Sequence, residues 1–263
     1  MLFAVRLLPL LAVVLVALVA SPSRAHLAVK AVRLMTYNLN YGNPDHASTL
    51  DAIQAGDADI VLLQEVTAEW RHALHARFKE QFPHQSYQVT ARAAGGLGVL
   101  SKHPIKSEDV WNPPRGGWFP ASRLLIESPL GMLQVLNVHL RPNLDGGSWV
   151  RGWQTTPPIR RREIEAYWQK IQYDLPTIVA GDFNDPPDGK AIQYLAKHGM
   201  TRVTTTGPTS WHYETVMDGR KKSLLSIDID HVMIDSHLTA SDARVLDAGT
   251  SDHRPVVVTL ARR

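Results

Sequence analysis

The sequence predicts a mixed-sheet α/β layered domain, and three observations carry that prediction. Apolar strand-like runs and helical segments interleave along the chain instead of separating into blocks. Residues 122–127 and 132–140 flank Ser128, Pro129, Leu130 and Gly131, a hairpin signal that argues against an all-parallel sheet. The apolar runs stop abruptly at polar residues, as buried strands do where they deliver side chains to a sheet rim.

Taken in order, the chain opens on a segment outside the fold. Arg6 precedes an uncharged run from Leu7 to Ala20, followed by Ser21, Pro22, Ser23, Arg24 and Ala25. A basic start, a short apolar centre and small residues read as a secretory signal cleaved near Ala25, which implies a secreted or periplasmic protein. An uncleaved N-terminal membrane anchor is the alternative. Residues 26–30 read as a linker, and residues 31–263 as one catalytic-size domain.

Residues 31–37 alternate apolar and polar and predict a strand ending in Asn38, Leu39 and Asn40. Residues 48–54 predict a short helix capped by Ser48 and stopped by Gly56. Residues 60–63 form a continuous apolar strand ending in Gln64 and Glu65. Residues 67–82 predict an amphipathic helix with Trp70, Leu74 and Phe78 at four-residue spacing. Residues 96–101 predict a strand, and the hairpin follows, with His139 at the end of its second strand. Residues 141–158 read as a long loop rich in Gly, Pro and Trp. Residues 159–171 predict a helix with Arg160, Arg161 and Arg162 in its first turn, where the helix dipole disfavours cations.

Thr177 to Pro186, TIVAGDFNDP, is a buried strand that ends in Asp182 and Asn184. An Asx turn is the plain reading of that tip; a pair of polar groups aimed at a ligand is the functional one. A helix over 188–197, a polar surface excursion over 201–226, and strands over 229–234 and 255–260 complete the chain.

The chain is 44% apolar and 20% charged, which suits a globular domain with a sizeable core, and it has no cysteine, so thiolate chemistry and disulfides are excluded. Without the first 25 residues it carries 26 basic and 25 acidic residues, a net charge of +1, so its basic pI is no argument for a nucleic-acid partner.

One pattern recurs: an apolar strand ends, and a carboxylate, amide or imidazole follows. It occurs at Asn38 and Asn40, Glu65, His139, Asp182 and Asn184, Asp230, and Asp252 with His253. If these tips converge, they form an oxygen-rich, thiolate-free cluster suited to a hard cation, Mg²⁺ or Mn²⁺, with Ca²⁺ as the alternative. There is no HExxH, no G-x-S-x-G elbow and no P-loop, which argues against a zinc peptidase, an α/β-hydrolase or a P-loop NTPase. By strand alternation His231, next to Asp230, lies on the opposite face.

The ordered set MTYNLN (35–40), VLLQEV (61–66), GLGVLSKHPI (96–105), NVHLRP (137–142), VAGDFND (179–185), IDHVMI (229–234) and SDHRPV (251–256) resembles the endonuclease/exonuclease/phosphatase superfamily. Its members include pancreatic-type deoxyribonucleases, apurinic endonucleases, bacterial sphingomyelinases and inositol polyphosphate 5-phosphatases. The resemblance runs from about residue 32 to the C-terminus and implies a deoxyribonuclease-I-like fold, a four-layer sandwich of two mixed β-sheets flanked by helices. It implies Glu65 as principal metal ligand, supported by Asn40 and Asp252. Many members carry Asp where this chain has Asn40, which removes a charge here. It further implies Asn38 as a phosphate contact or an orienter of the metal shell, Asp182 as the group that orients and deprotonates the attacking water, and Asn184 as a partner of the transition-state oxygen. His253, oriented by Asp230, would bond the phosphate or act as base, and His139 would protonate the leaving oxygen. The glutamate that orients this last histidine in deoxyribonuclease-like members has no evident counterpart.

The expected reaction is metal-dependent hydrolysis of a phosphoester, first of all as a nuclease or other phosphodiesterase. The alternative is a phosphatase or sphingomyelinase-like hydrolase of a lipid or small phosphate ester, and the third reading is a silent binding module. Trp149, Arg151 and Trp153, with Arg160, Arg161 and Arg162, are the candidate substrate loop. Aromatics interleaved with arginines suit nucleic-acid contact or a membrane surface, or simply pack the loop down. Trp111, Trp118 and Phe119 are a second aromatic cluster that would line the same cleft. No obligate protein partner is expected.

Overall fold

The computed structural model of the chain describes residues 30–90, 93–217 and 220–263. The leader and residues 26–29 of the linker lie outside the described residues. In chain order the elements are β1 (Ala31–Asn38), α1 (His46–Ala55), β2 (Ile60–Gln64), α2 (Ala68–Phe78), β3 (His84–Gln88), β4 (Leu97–Ser101) and β5 (Ile105–Trp111). There follow β6 (Ala121–Ser128), β7 (Gly131–His139), α3 (Trp149–Thr155), α4 (Pro157–Trp168), β8 (Thr177–Asp182), α5 (Lys190–Lys197) and β9 (Thr201–Arg202). The chain closes with β10 (Trp211–Met217), β11 (Arg220–Ile227), β12 (Asp230–Ile234), β13 (Leu238–Val245) and β14 (Val256–Arg262).

Two six-stranded mixed sheets stack face to face. One runs β13-β14-β1-β2-β4-β3 and the other β5-β6-β7-β8-β12-β9, while β10 and β11 form a separate two-stranded arm. Period-two alternation builds the layers. Val32 and Leu34 of β1 meet Val135 of β7 and Ile178 and Ala180 of β8 between the sheets. Met35 and Tyr37 point the other way, onto Ile53 of α1 and Trp70, Leu74 and Phe78 of α2. Val138 and Val179 point outward from the second sheet, onto Ile164 and Tyr167 of α4 and Leu195 of α5. The result is helix, sheet, sheet, helix. Among the described residues no helix is long and apolar enough to cross a membrane.

Several boundaries differ from the sequence reading, each for a local reason. Helix α1 starts two residues early because Asp45, not Ser48, is its cap: the Asp45 carboxylate accepts the Ser48 N–H at 3.0 Å. Helix α4 begins at Pro157, whose fixed φ suits the first helical position, so Arg160 to Arg162 lie beyond the first three positions. The loop over 141–158 contains α3, capped by Ser148. Strands β3, β5 and β13 escaped the sequence pattern. The first two lie at sheet edges and carry mainly half-buried or exposed residues, and only the ends of β13 are buried.

His231 lies on the outward face of β12, buried, with Nε2 donating to the Asp185 carbonyl at 2.9 Å. Burial drives its pKa down to about 4. The unfolded chain takes up that proton near pH 6.5 and the folded chain only near 4. This stability is therefore complete above pH 6.5 and lost as pH falls through that window. In EDTA, urea midpoints at pH 7 and pH 4.5 are expected to show about 3 kcal/mol of acid destabilisation in the wild type that His231→Gln lacks. Equal losses in both proteins would show that another group carries the effect.

Candidate active site

Strand register brings the polar tips together. β7 pairs parallel to β8 with His139 opposite Asp182, and β8 pairs antiparallel to β12 with Asp230 opposite Asp182. The three side chains therefore stand in a row on the inner face of one sheet. In the facing sheet β1 and β2 run parallel with Asn38 opposite Gln64, and the Asn38 amide donates across the gap to Asp182 Oδ2 at 3.0 Å and, on its own side, to Glu65 Oε1 at 3.2 Å. Below them Gln64 donates to Asn137 at 2.7 Å, and Asn137 donates to the Leu63 and Gly98 carbonyls at 3.2 Å, so the two sheets are pinned directly under the tips.

The backbone is bent to make this site. Asn40, Glu65 and Asn184 all have positive φ, at 57°, 61° and 51°. Such conformations are disfavoured for these residues and persist where surrounding bonds enforce them. Here the bonds are visible: Glu65 accepts the Tyr41 N–H at 2.9 Å, Asp182 accepts the Asn184 N–H at 2.8 Å, and Asn184 Nδ2 donates to the Leu140 carbonyl at 3.1 Å. The turn reading and the ligand reading of Asp182-Phe183-Asn184 thus describe one geometry. Gly181 (φ 143°) is required next door, because a Cβ there would meet the Val138 carbonyl oxygen at 2.0 Å.

The two imidazoles differ electrically. His253 Nδ1 bonds Asp230 at 2.9 Å, and its Nε2 lies 3.7 Å from Asp182 Oδ2. Burial opposes its charge, but Asp230 and Asp182 outweigh burial and raise its pKa to about 10. His139 is lowered to about 3, by burial and then by the neighbouring His253 charge. Its Nδ1 donates to the Ala94 carbonyl at 3.0 Å, which leaves Nε2 as an acceptor 3.4 Å from Asp182 Oδ2, and Phe119 stacks on the ring at 4.3 Å. A backbone carbonyl stands where the resemblance leads one to look for a glutamate. Burial raises Asp182 to about 7, with His253 pulling in the opposite direction.

Glu65 and Asp252 face the same cleft. Burial raises the Glu65 pKa. Asp252 accepts Asn40 Nδ2 at 2.8 Å and Trp211 Nε1 at 3.0 Å, while Asn40 Oδ1 accepts the Gly42 N–H. Both amide atoms of Asn40 are thereby engaged within the protein. Trp211 was not visible as a site residue, since it sits in a polar segment read as a surface excursion. The cleft has a volume of about 230 Å³, and Glu65, His139, Asp182, Asn184, Asp252 and His253 line it together with Trp118, Phe119, Trp149, Trp153 and Trp211. No lysine or arginine is among its described lining residues. A roomier cavity of about 770 Å³ beside β9 and β13 has no histidine among its described lining residues.

The candidate substrate loop divides. Trp149 and Trp153 reach the cleft, whereas Arg151 turns to Asp145 at 3.0 Å. Arg160 is fully buried and pairs with Asp185 at 2.7 Å, away from any substrate. Trp118 and Phe119 line the cleft, but Trp111 does not; it stacks on Tyr167.

The donor set fits a divalent cation. Glu65 and Asp252 are oriented by N–H donors, neither has a lysine or arginine ion-pair partner among the described residues, and both line the cleft. Asp182, Asp230 and His253 also offer ligand atoms within 4.8 Å of one another, all buried, but the Asp230–His253 hydrogen bond already uses part of that set.

A sequence profile of the Endonuclease/Exonuclease/phosphatase family matches residues 35–253. No curated protein sequence matches the chain significantly. Solved structures share the fold. A functionally unknown conserved protein from Enterococcus faecalis superposes with a TM-score of 0.69 at 17% identity, covering 88% of this chain and 100% of that one. An endonuclease/exonuclease/phosphatase from Beutenbergia cavernae gives 0.66 at 19% identity, over 89% and 72% of the two chains. Sphingomyelinase C from Streptomyces griseocarneus gives 0.65 at 17%, over 87% and 99%. With the profile spanning most of the chain and the tips converged in one cleft, this protein belongs to the endonuclease/exonuclease/phosphatase family and is a phosphoester hydrolase.

Proposed function

We propose that the enzyme hydrolyses phosphodiesters by direct attack of water, with a divalent cation, Mg²⁺ or Mn²⁺, held by Glu65 and Asp252. The observation that carries this reading is the row His139, Asp182, Asp230 closed by His253: a carboxylate titrating near neutrality beside one charged and one neutral imidazole. Asp182 accepts the proton of the attacking water, its orientation fixed by the Asn38 and Asn184 N–H groups. His253, held by Asp230, presents its Nε2–H to a phosphoryl oxygen and stabilises the charge that develops there. Asn184 offers its second amide hydrogen to the same group. His139 enters as a neutral ring whose Nε2 accepts. Asn40 acts by holding Asp252. A bound cation supplies charge neutralisation at the phosphate.

A cleft with no lysine or arginine among its described lining residues favours a lipid or small phosphodiester over a polynucleotide. Tracking a nucleic-acid backbone takes lysines and arginines along the groove, and none lines this cleft among the described residues.

EDTA is expected to abolish hydrolysis of bis(p-nitrophenyl) phosphate, with Mg²⁺ or Mn²⁺ restoring it. Glu65→Gln should raise the cation concentration for half-maximal rate by at least about tenfold. Activity that survives chelation, or a Glu65→Gln variant with an unchanged cation requirement, would remove the metal from this reading. Rapid nicking of plasmid DNA would reverse the preference for small substrates.

A further inference from the structure

Next to the cleft lies a slot of about 290 Å³ lined by Trp149, Trp153, Trp211, Tyr213 and Leu225. Three of these, Trp149, Trp153 and Trp211, also line the cleft itself, so the two spaces adjoin. The walls are built by three regular elements. Trp149 and Trp153 stand four apart on α3 and share one helix face. Trp211 and Tyr213 stand two apart on β10 and share one strand face, with Leu225 paired directly opposite Tyr213 on β11. Trp211 is anchored at the junction by its bond to Asp252.

The four rings are not packed on one another. No ring contact joins any two of them among the described residues, although other aromatic pairs in the molecule meet at centroid distances of 4.3–6.3 Å. Trp149, Tyr213 and Leu225 are about half exposed. The rings therefore line a space instead of packing on one another. This is an unusual use of aromatic area, since exposed apolar surface beside a reaction centre marks a binding site.

The chemistry of the space selects its occupant. Among its described lining residues there is no carboxylate, amide, lysine or arginine. A primary ammonium would lose its water and find too few acceptors for its N–H groups. A quaternary ammonium has no N–H to satisfy, and its diffuse positive charge is attracted by aromatic faces.

We propose that the slot is a subsite for a quaternary ammonium group carried by the substrate, so that the enzyme acts on zwitterionic phosphodiesters of the choline type. The proposal rests on the phosphodiesterase reading. The reaction is a plain hydrolysis: the water oxygen bonds to phosphorus, one ester P–O bond breaks, the alcohol leaves with a proton, and a phosphomonoester remains. Nothing is oxidised or reduced.

The test has a binding arm and a turnover arm on the full chain. Calorimetric titration with tetramethylammonium chloride should show saturable binding, at least about fivefold tighter than 3,3-dimethylbutan-1-ol, the neutral shape mimic. Tyr213→Leu keeps apolar volume and removes a π face, and should weaken tetramethylammonium binding by about fivefold. Glycerophosphocholine should be cleaved with kcat/KM at least about fivefold above glycerophosphoethanolamine, and Tyr213→Leu should shrink that ratio. Equal binding of the cation and the neutral alcohol, or preferential binding of adenosine, would overturn the ammonium subsite, the latter in favour of base stacking. Bis(p-nitrophenyl) phosphate, which has no ammonium group, reports the phosphodiesterase reading separately. If it is cleaved without any choline preference, the subsite falls and the reading stands. If it and both glycerol diesters are inert, the reading falls and with it the substrate proposal.

Discussion

Asp182→Asn is expected to lower kcat about a thousandfold while leaving the protein folded. A positioned general base contributes about 10²–10⁴ in rate, and a thousandfold loss corresponds to about 4 kcal/mol of transition-state stabilisation. The substitution changes charge and basicity with almost no change in shape. The Asn184 N–H can still be accepted by the remaining oxygen, so the turn that carries Asn184 keeps its main restraint. What is lost is the acceptor for the water proton, and the new amide group faces the Asn38 amide, which now donates to Asp182 at 3.0 Å. The pH profile provides a readout that misfolding would not mimic. Burial holds the Asp182 carboxyl well above the ordinary range, so wild-type activity should rise with pH as this group ionises. The residual activity of the variant should lack that limb. A variant within tenfold of wild type, with circular dichroism unchanged, would remove Asp182 from the proton-transfer role.

The convergence of the strand tips was legible in the sequence because two simple periodicities fix it. Alternation along β8 sends Ile178, Ala180 and Asp182 to one face, and the same rule on β12 sends Asp230 inward and His231 outward. The hairpin turn fixed one sheet as mixed. Other parts of the site left no such trace. His139 is oriented by the Ala94 carbonyl, and a backbone acceptor has no side-chain signature. Trp211 reaches Asp252 across 41 residues from a stretch whose composition reads as solvent-exposed loop. The edge strands β3 and β5 lack an apolar alternation because neither face is well covered. The Arg160–Arg162 run was misleading for a specific reason. Its first member is not a surface cation at all, and no local pattern announces that Asp185, 25 residues on, is buried opposite it.

Arg160→Met is expected to destabilise the protein by about 3–5 kcal/mol and to slow catalysis at a distance. The Arg160 side chain is wholly buried, with Nε donating to Asp185 Oδ1 at 2.7 Å and Nη1 donating to Asn143 Oδ1, Thr156 Oγ1 and the Arg141 carbonyl at 2.7–3.2 Å. Methionine fills much of the space but leaves Asp185 as a buried carboxylate without its cation, and breaking a buried pair from one side costs about that amount. For a chain of this size, a loss of that order should lower Tm by about 10 °C. The partners explain why activity should suffer as well. Asn143, one acceptor of Arg160, donates to the carbonyl of Asn184 at 3.0 Å, and Arg141 follows His139 by two residues. The guanidinium therefore ties the segments after β7 and β8 to helix α4, so those segments should lose their fixed spacing without it. Below the melting temperature the loss should appear in kcat. Adding Asp185→Asn to Arg160→Met should recover part of the stability, since the stranded charge is gone, but little of the rate, since the tie is still missing. Full recovery of both would mean that Arg160 serves only to neutralise Asp185 and does not position the site.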